Sequence, residues 1–134
     1  MPVGWSIGTP PNAVLANSSL LRACSQLAYG EHHWAHSDRG SHYRWPGWIA
    51  ICDGHGIVRS MTRKGCSPDN SRAEGFFGRL KVELFYGRGW DDVGMGEFMK
   101  MLYAYLVWYR DKRCKSDLGY MSPMQYRRSL GLVA

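Results

Sequence analysis

The sequence predicts a mixed α/β fold, on three observations. Short apolar runs with strand-like composition, at residues 3–7, 33–37 and 57–61, alternate with segments whose apolar residues recur at helical spacing. Two long helical patterns and a short capped one then follow in the second half of the chain. With 134 residues, 45% of them apolar, there is material for one packed core and no sign of the composition of disorder.

Taken in order, Val3 to Ile7 is an apolar run that predicts a strand ending before Pro10, because two successive prolines cannot donate to a ladder. From Ala13 the residues Val14, Leu15, Leu20, Leu21, Ala23, Cys24, Leu27 and Ala28 line one helical face, predicting a helix over residues 13–28 with Gly30 as its C-terminal cap. His33 to Ser37 reads as a strand that ends in the turn Asp38-Arg39-Gly40. Trp45-Pro46-Gly47 opens a short helix with Trp48, Ile49, Ile51 and Cys52 on its apolar side, closed by Asp53-Gly54-His55-Gly56. Ile57 to Met61 is the next strand, followed by a basic loop from Thr62 to Pro68.

Asp69-Asn70-Ser71 supplies three N-cap residues in a row, and Ala73, Phe76, Phe77, Leu80 and Leu84 then form an apolar face expected to hold a helix against the core as far as Tyr86. A Gly-rich break over residues 87–96 precedes a helix carrying Phe98, Leu102, Tyr105, Leu106 and Tyr109. Its aromatic stripe, Tyr103, Tyr105, Trp108 and Tyr109, could stack on bases but at helical spacing is expected to be mainly core, and Arg110, Lys112, Arg113 and Lys115 suit its negative end and are also candidates to touch DNA. Ser122-Pro123 is an N-cap with proline at the first helical position, opening a last helix that Gly131 ends.

Seventeen Lys and Arg against eleven Asp and Glu give a net charge of +6, which favours an anionic partner. The excess is unevenly placed: residues 1–36 hold only Arg22 and Glu31, so the positive field begins further along. No stretch approaches the eighteen apolar residues of a membrane span, and the first residues have neither the basic nor the long apolar region of a signal peptide, so a cytoplasmic protein is expected. Cys24, Cys52, Cys66 and Cys114 form no C-x-x-C pair and read as reduced thiols. His32, His33, His36 and His42 therefore read as ordinary polar residues and not as zinc ligands.

Two carboxylates stand out. Asp38 sits at the end of a strand beside a glycine turn, and Glu74 lies in the first turns of the well-capped helix, where Gly75 and Gly78 leave room for a polyanion and Lys81 shares a neighbouring stripe. Two acids on rigid elements supply hard oxygen ligands for a divalent ion in phosphoryl transfer. By spacing alone this is weak evidence, since a turn-stabilising aspartate and a glutamate favouring the helix dipole are the plainer explanation. Around them, Arg59, Arg63, Lys64, Arg72, Arg79 and Lys81 form either a solvated basic face or a set of phosphate contacts.

The segments His36-Ser37-Asp38-Arg39-Gly40-Ser41-His42-Tyr43 and Arg63 through Glu83 resemble the second half of the catalytic core of bacterial insertion-sequence transposases related to retroviral integrases. So do Trp108-Tyr109-Arg110-Asp111-Lys112-Arg113 and Leu118 through Tyr126. The resemblance implies a ribonuclease H-like fold and an Asp, Asp, Glu triad binding two Mg²⁺ or Mn²⁺ ions, with Asp38 and Glu74 as its second and third acids. Thirty-five residues lie between these two, the family's separation. It implies phosphodiester hydrolysis at a transposon end and strand transfer into target DNA, with Arg63, Lys64, Arg72, Arg79 and Lys81 as DNA contacts.

The first triad Asp belongs on a strand ahead of Val3, and no aspartate precedes Asp38. The resemblance therefore implies a ribonuclease H-like core without its first two strands, over residues 1–90, and a helical extension over 91–134 packed on it. The expected function is that of a transposase fragment acting in DNA integration and transposition, nucleoid-associated and inactive alone, which works as a homo-oligomer or with a complementing transposase chain. The alternative is a noncatalytic DNA-binding or assembly protein that dimerises with, or inhibits, a full-length transposase.

Overall fold

The computed structural model describes residues 1–27, 33–62 and 71–132. They form two compact units, one of residues 3–86 and the other of residues 87–134 together with Met1 and Pro2.

In the unit of residues 3–86, helix α1 (Ala13–Cys24) begins where the Asn12 side chain accepts the Leu15 N–H at 3.0 Å, satisfying one of the donors that a helix start leaves open. It ends four residues before its expected limit. Ser25 caps it, donating its N–H to Leu21 and its hydroxyl to the Arg22 carbonyl, and the next bonds tighten to i→i−3 at Gln26 and Leu27. Local capping by serine thus stops the helix early, and the expected cap at Gly30 lies outside the described residues.

Strand β1 (Trp34–Ser37) and strand β2 (Val58–Met61) are parallel, with Trp34 opposite Val58 and Ser37 opposite Met61. The ladder is extended at both ends: Val58 N–H donates to His33 and Thr62 N–H to Ser37. Between the strands run a 3₁₀ turn (Ser41–Arg44) and helix α2 (Pro46–Gly54), the helical crossover that a parallel pair requires. Pro46 at the first turn lacks a donor that would be unsatisfied there. The Ile57 N–H to Cys52 carbonyl bond, 2.8 Å, turns the chain from α2 directly into β2.

The core of this unit is the cluster Leu20, Cys24, Trp48, Cys52 and Ile57, with Ala16, Leu27, Ala35, Tyr43 and Ile51 packed against it. Ala16, Leu20 and Cys24 recur every four residues, as do Trp48 and Cys52, so each helix turns one stripe to the other. Burial pushes both the Cys24 and the Cys52 thiol up from the ordinary cysteine range, and the two behave as small apolar side chains.

Val3 to Ile7 departs from its predicted strand. The segment runs along α1: Arg22 donates to the Trp5 carbonyl at 3.0 Å, and a Cβ placed on Gly4 would lie only 2.2 Å from the Ala23 backbone nitrogen. Extended apolar composition favours a strand only where a ladder partner is at hand, and here the neighbour is a helix whose backbone only glycine lets it approach.

Helix α3 (Ser71–Leu80) continues as a π-helical turn (Lys81–Phe85), reaching within a residue of the predicted end at Tyr86. Its apolar face differs from the expectation. No residue of α3 is buried and Phe77 is 57% exposed; the buried anchor is Leu84, in the wider π turn. Helical periodicity reports which residues share a face, not whether another element covers it.

In the other unit, helix α4 (Met95–Asp111) buries Tyr105, Leu106 and Tyr109 and packs with helix α5 (Pro123–Ser129). The expected aromatic core stripe is divided, since Tyr103 and Trp108 are exposed. Arg113 and Lys115 lie over the Tyr109 ring at 5.3 and 5.4 Å from its centroid, so these cations stack on the helix's own aromatic. The connection closes through a bridge between Lys115 and Met121. At α5, Ser122 forms a capping box: its hydroxyl accepts the Gln125 N–H at 3.3 Å while Gln125 Oε1 accepts the Ser122 N–H at 2.8 Å.

Trp48→Ala removes the largest side chain of the residue 3–86 core and is expected to cost about 3–5 kcal/mol, read as a lowered midpoint in urea unfolding followed by ellipticity. Ser122→Ala, at a fully buried position, removes half of the capping box and is expected to cost about 1 kcal/mol in the same experiment.

Candidate metal and nucleic-acid site

Asp38 follows β1 directly, and its Oδ1 accepts the Gly40 N–H at 2.8 Å, closing an Asx turn. Gly40 is required here for space: a Cβ would meet Asp38 Oδ1 at 2.9 Å and the Tyr43 ring at 3.4 Å, although its φ of −53° is open to any residue. Tyr43 in turn meets the Trp48 ring edge-on at 4.9 Å between centroids. A continuous set of contacts therefore runs from the Trp48 core through Tyr43 and the Gly40 turn to an exposed carboxylate. Tyr43 is a supporting residue to which the sequence alone assigns no role; in the sequence it only ends the segment that resembles the transposase family.

Burial raises the Tyr43 phenol above the ordinary tyrosine range, and the Asp38 charge adds to the shift. His36, two residues before Asp38, shares a hydrogen bond of 3.0 Å with Ser60 on the adjacent strand. That bond ties the two parallel strands together close to the Asp38 turn.

Glu74 is exposed in the first turn of α3, at the positive end of the helix dipole. A Cβ at Gly75 or Gly78 would meet nothing within 4 Å, so the surface beside Glu74 is open. Arg72 and Lys81 are exposed on the same helical segment, while Arg79 faces Glu83 at 3.8 Å, an i, i+4 pair that offsets part of its charge. Arg63 and Lys64 lie outside the described residues.

Asp38 and Glu74 both belong to the residue 3–86 unit. Their carboxylate oxygens have the right chemistry for a hard divalent ion. Among the described residues, no group of three or more His, Cys, Asp or Glu side chains is placed to hold a metal ion.

Comparison with known proteins bears on what such a pair belongs to. The integrase core domain family matches residues 74–130, from Glu74 to near the end of α5, and an integrase core implies a ribonuclease H-like fold. Over 132 residues the chain is 51% identical to a Shigella flexneri protein named "Probable transposase for insertion sequence element IS1353", covering 98% of this chain and 26% of that protein. It is 33% identical over 125 residues to an uncharacterized transposase-like protein of Haemophilus influenzae, covering 93% of this chain and 56% of that protein. It is also 29% identical over 127 residues to the transposase for insertion sequence element IS904 of Lactococcus lactis, covering 94% and 49%. The chain is thus similar over nearly its whole length to insertion-sequence transposases, and over residues 74–130 to the integrase core domain. It spans between about a quarter and just over half of the length of these relatives.

Asp38→Asn keeps an oxygen for the Gly40 N–H and removes the charge. Stability is expected to stay within about 0.5 kcal/mol of the parent, while the Tyr43 phenol titrates at lower pH, as read by NMR of ring-labelled tyrosine. An unchanged Tyr43 titration counts against the described turn.

Proposed function

We propose that this chain is the C-terminal portion of an integrase-type transposase core acting in DNA integration and transposition. In this reading residues 1–90 contribute to the core and residues 91–134 form its helical extension. Asp38 and Glu74 are the second and third acids of a site for Mg²⁺ or Mn²⁺, and Arg63, Lys64, Arg72, Arg79 and Lys81 contact the phosphates of transposon-end and target DNA. The observation that carries it is the placement of the two acids. An exposed carboxylate ends a core-anchored parallel strand, thirty-six positions ahead of a second at a helix start, in a chain similar over nearly its whole length to transposases.

The family reading calls for a first acid besides Asp38 and Glu74, and its corollary is that these 134 residues do not cleave or join DNA unaided and act with a chain that contributes that acid. The reading places the protein with DNA in the cytoplasm; no helix among the described residues is long and apolar enough to cross a membrane. A second reading, a noncatalytic assembly protein that pairs with a full-length transposase, is favoured by the exposed apolar side chains Trp34 and Val58 on the sheet and Phe77 on α3.

The test is strand transfer of a labelled transposon-end duplex with Mg²⁺ or Mn²⁺. The purified chain is expected to give background only, and co-expression with a segment carrying the first acid to restore product that Glu74→Gln returns to background. Glu74-dependent product from the 134-residue chain alone overturns the corollary. Loss of a full-length transposase's activity on co-expression, without complementation, selects the second reading.

A further inference from the structure

Helices α4 and α5 frame an open cavity of about 360 Å³ lined by Arg110, Asp111, Lys112, Met124, Gln125 and Arg128. Three cations and one carboxylate face it. Arg110 gives Nε and Nη2 to the two oxygens of Asp111 at 2.6 and 2.8 Å, a two-pronged pair that fixes the guanidinium plane at the cavity wall. The Arg110 hydrogen bonds hold the Asp111 carboxyl below the usual carboxylate range, and the nearby charges of Arg128 and Lys112 add to the effect. Three cations thus line the cavity against one carboxylate, which leaves positive charge in excess there.

Gln125 adds a neutral donor. Its Oε1 is committed to the Ser122 N–H in the capping box, so the remaining end of its amide is the NH₂ group. Met124 supplies an apolar wall. The negative end of the α4 dipole opposes an anion here, but it amounts to about half a charge and falls off within a turn. At the small end of ligand-pocket volumes, the cavity has room for a nucleotide-sized group.

We propose that this cavity receives one phosphodiester of a DNA backbone, with Lys112 and Arg128 as its charged contacts, Gln125 as a neutral donor and the Asp111-braced Arg110 as a fixed wall. The proposal rests on the nucleic-acid reading above and adds to it a contact in the unit of residues 87–134, built on groups outside the basic segment around Glu74. Arg128 carried no signal in the sequence, because only the packing of α5 on α4 brings it to the cavity that Asp111 also lines.

The experiment is fluorescence anisotropy of the whole chain with a labelled duplex from about 50 to 200 mM salt, where each phosphate contact contributes about 0.9 to the slope of log K against log salt. The double variant Lys112→Ala/Arg128→Ala is expected to lower that slope by about one and to weaken binding roughly tenfold at the low-salt end. A control pair, Arg88→Ala/Lys100→Ala, removes the same charge from exposed positions of the same unit and is expected to change the slope by less than half as much. Equal effects from the two pairs, or an unchanged slope in the first, overturn the cavity while leaving the nucleic-acid reading intact; a parent chain that binds no duplex overturns both. Should the variants fail to fold, protection of Lys112 from reductive methylation by bound duplex in the parent chain decides. Protection by inorganic phosphate or a mononucleotide, but not by duplex, assigns the cavity to a free small anion and overturns the DNA contact.

Discussion

The residue 3–86 unit depends on the burial of Trp48 between two helices and a strand pair that has few other means of support. Two parallel strands of four residues each are marginal alone, and parallel pairs persist where helices cover them. Trp48 and Cys52 provide that cover from α2, Leu20 and Cys24 from α1, and Ile57 closes the cluster at the entry to β2. The same indole is the surface on which Tyr43 rests, so the packing that stabilises the sheet also fixes the turn holding Asp38. Stability and the position of the carboxylate therefore have one origin. A loss in the core would reach Asp38 as displacement of its turn.

The unit of residues 87–134 uses a different economy. It buries Tyr105, Leu106 and Tyr109 of α4 and Pro123 of α5, and adds directed contacts: the Ser122–Gln125 capping box, the Arg110–Asp111 fork, and two cations over Tyr109. Each removes an unsatisfied group or fixes a long side chain, and each lies near the α4 end or the α5 start. The basic residues that a reading of charge would scatter into solvent are thereby divided. Arg113 and Lys115 are engaged with an aromatic ring, while Lys112 and Arg128 are left around the cavity.

What the sequence made legible follows from what local physics decides. The Ser122-Pro123 start of α5, the Pro46 start of α2 and the two strands ending near Asp38 and Thr62 rest on caps, prolines and apolar runs, and the structure has them within a residue or two. Asp38 and Glu74 were visible as carboxylates on rigid elements, and the family resemblance, not their spacing alone, gave them roles. What was illegible depended on neighbours. Val3 to Ile7 has strand composition but lies on α1, Phe77 has helical periodicity but no cover, and Trp108 shares a stripe with Tyr105 yet faces solvent. Tyr43 was missed for the same reason, since its importance exists only once Trp48 and Gly40 are brought beside it.

The constant offset of 24 residues between paired positions of β1 and β2 also sets what closing the sheet requires. A hairpin can close its first rung across a two-residue turn, but here the first rung requires the intervening chain to have turned back on itself. That return is made by α2, whose last turn hands its Cys52 carbonyl to the first residue before β2. The sheet is accordingly tied to the helix: the return of the chain that seats Trp48 against α1 is the same return that lets the two strands share a ladder.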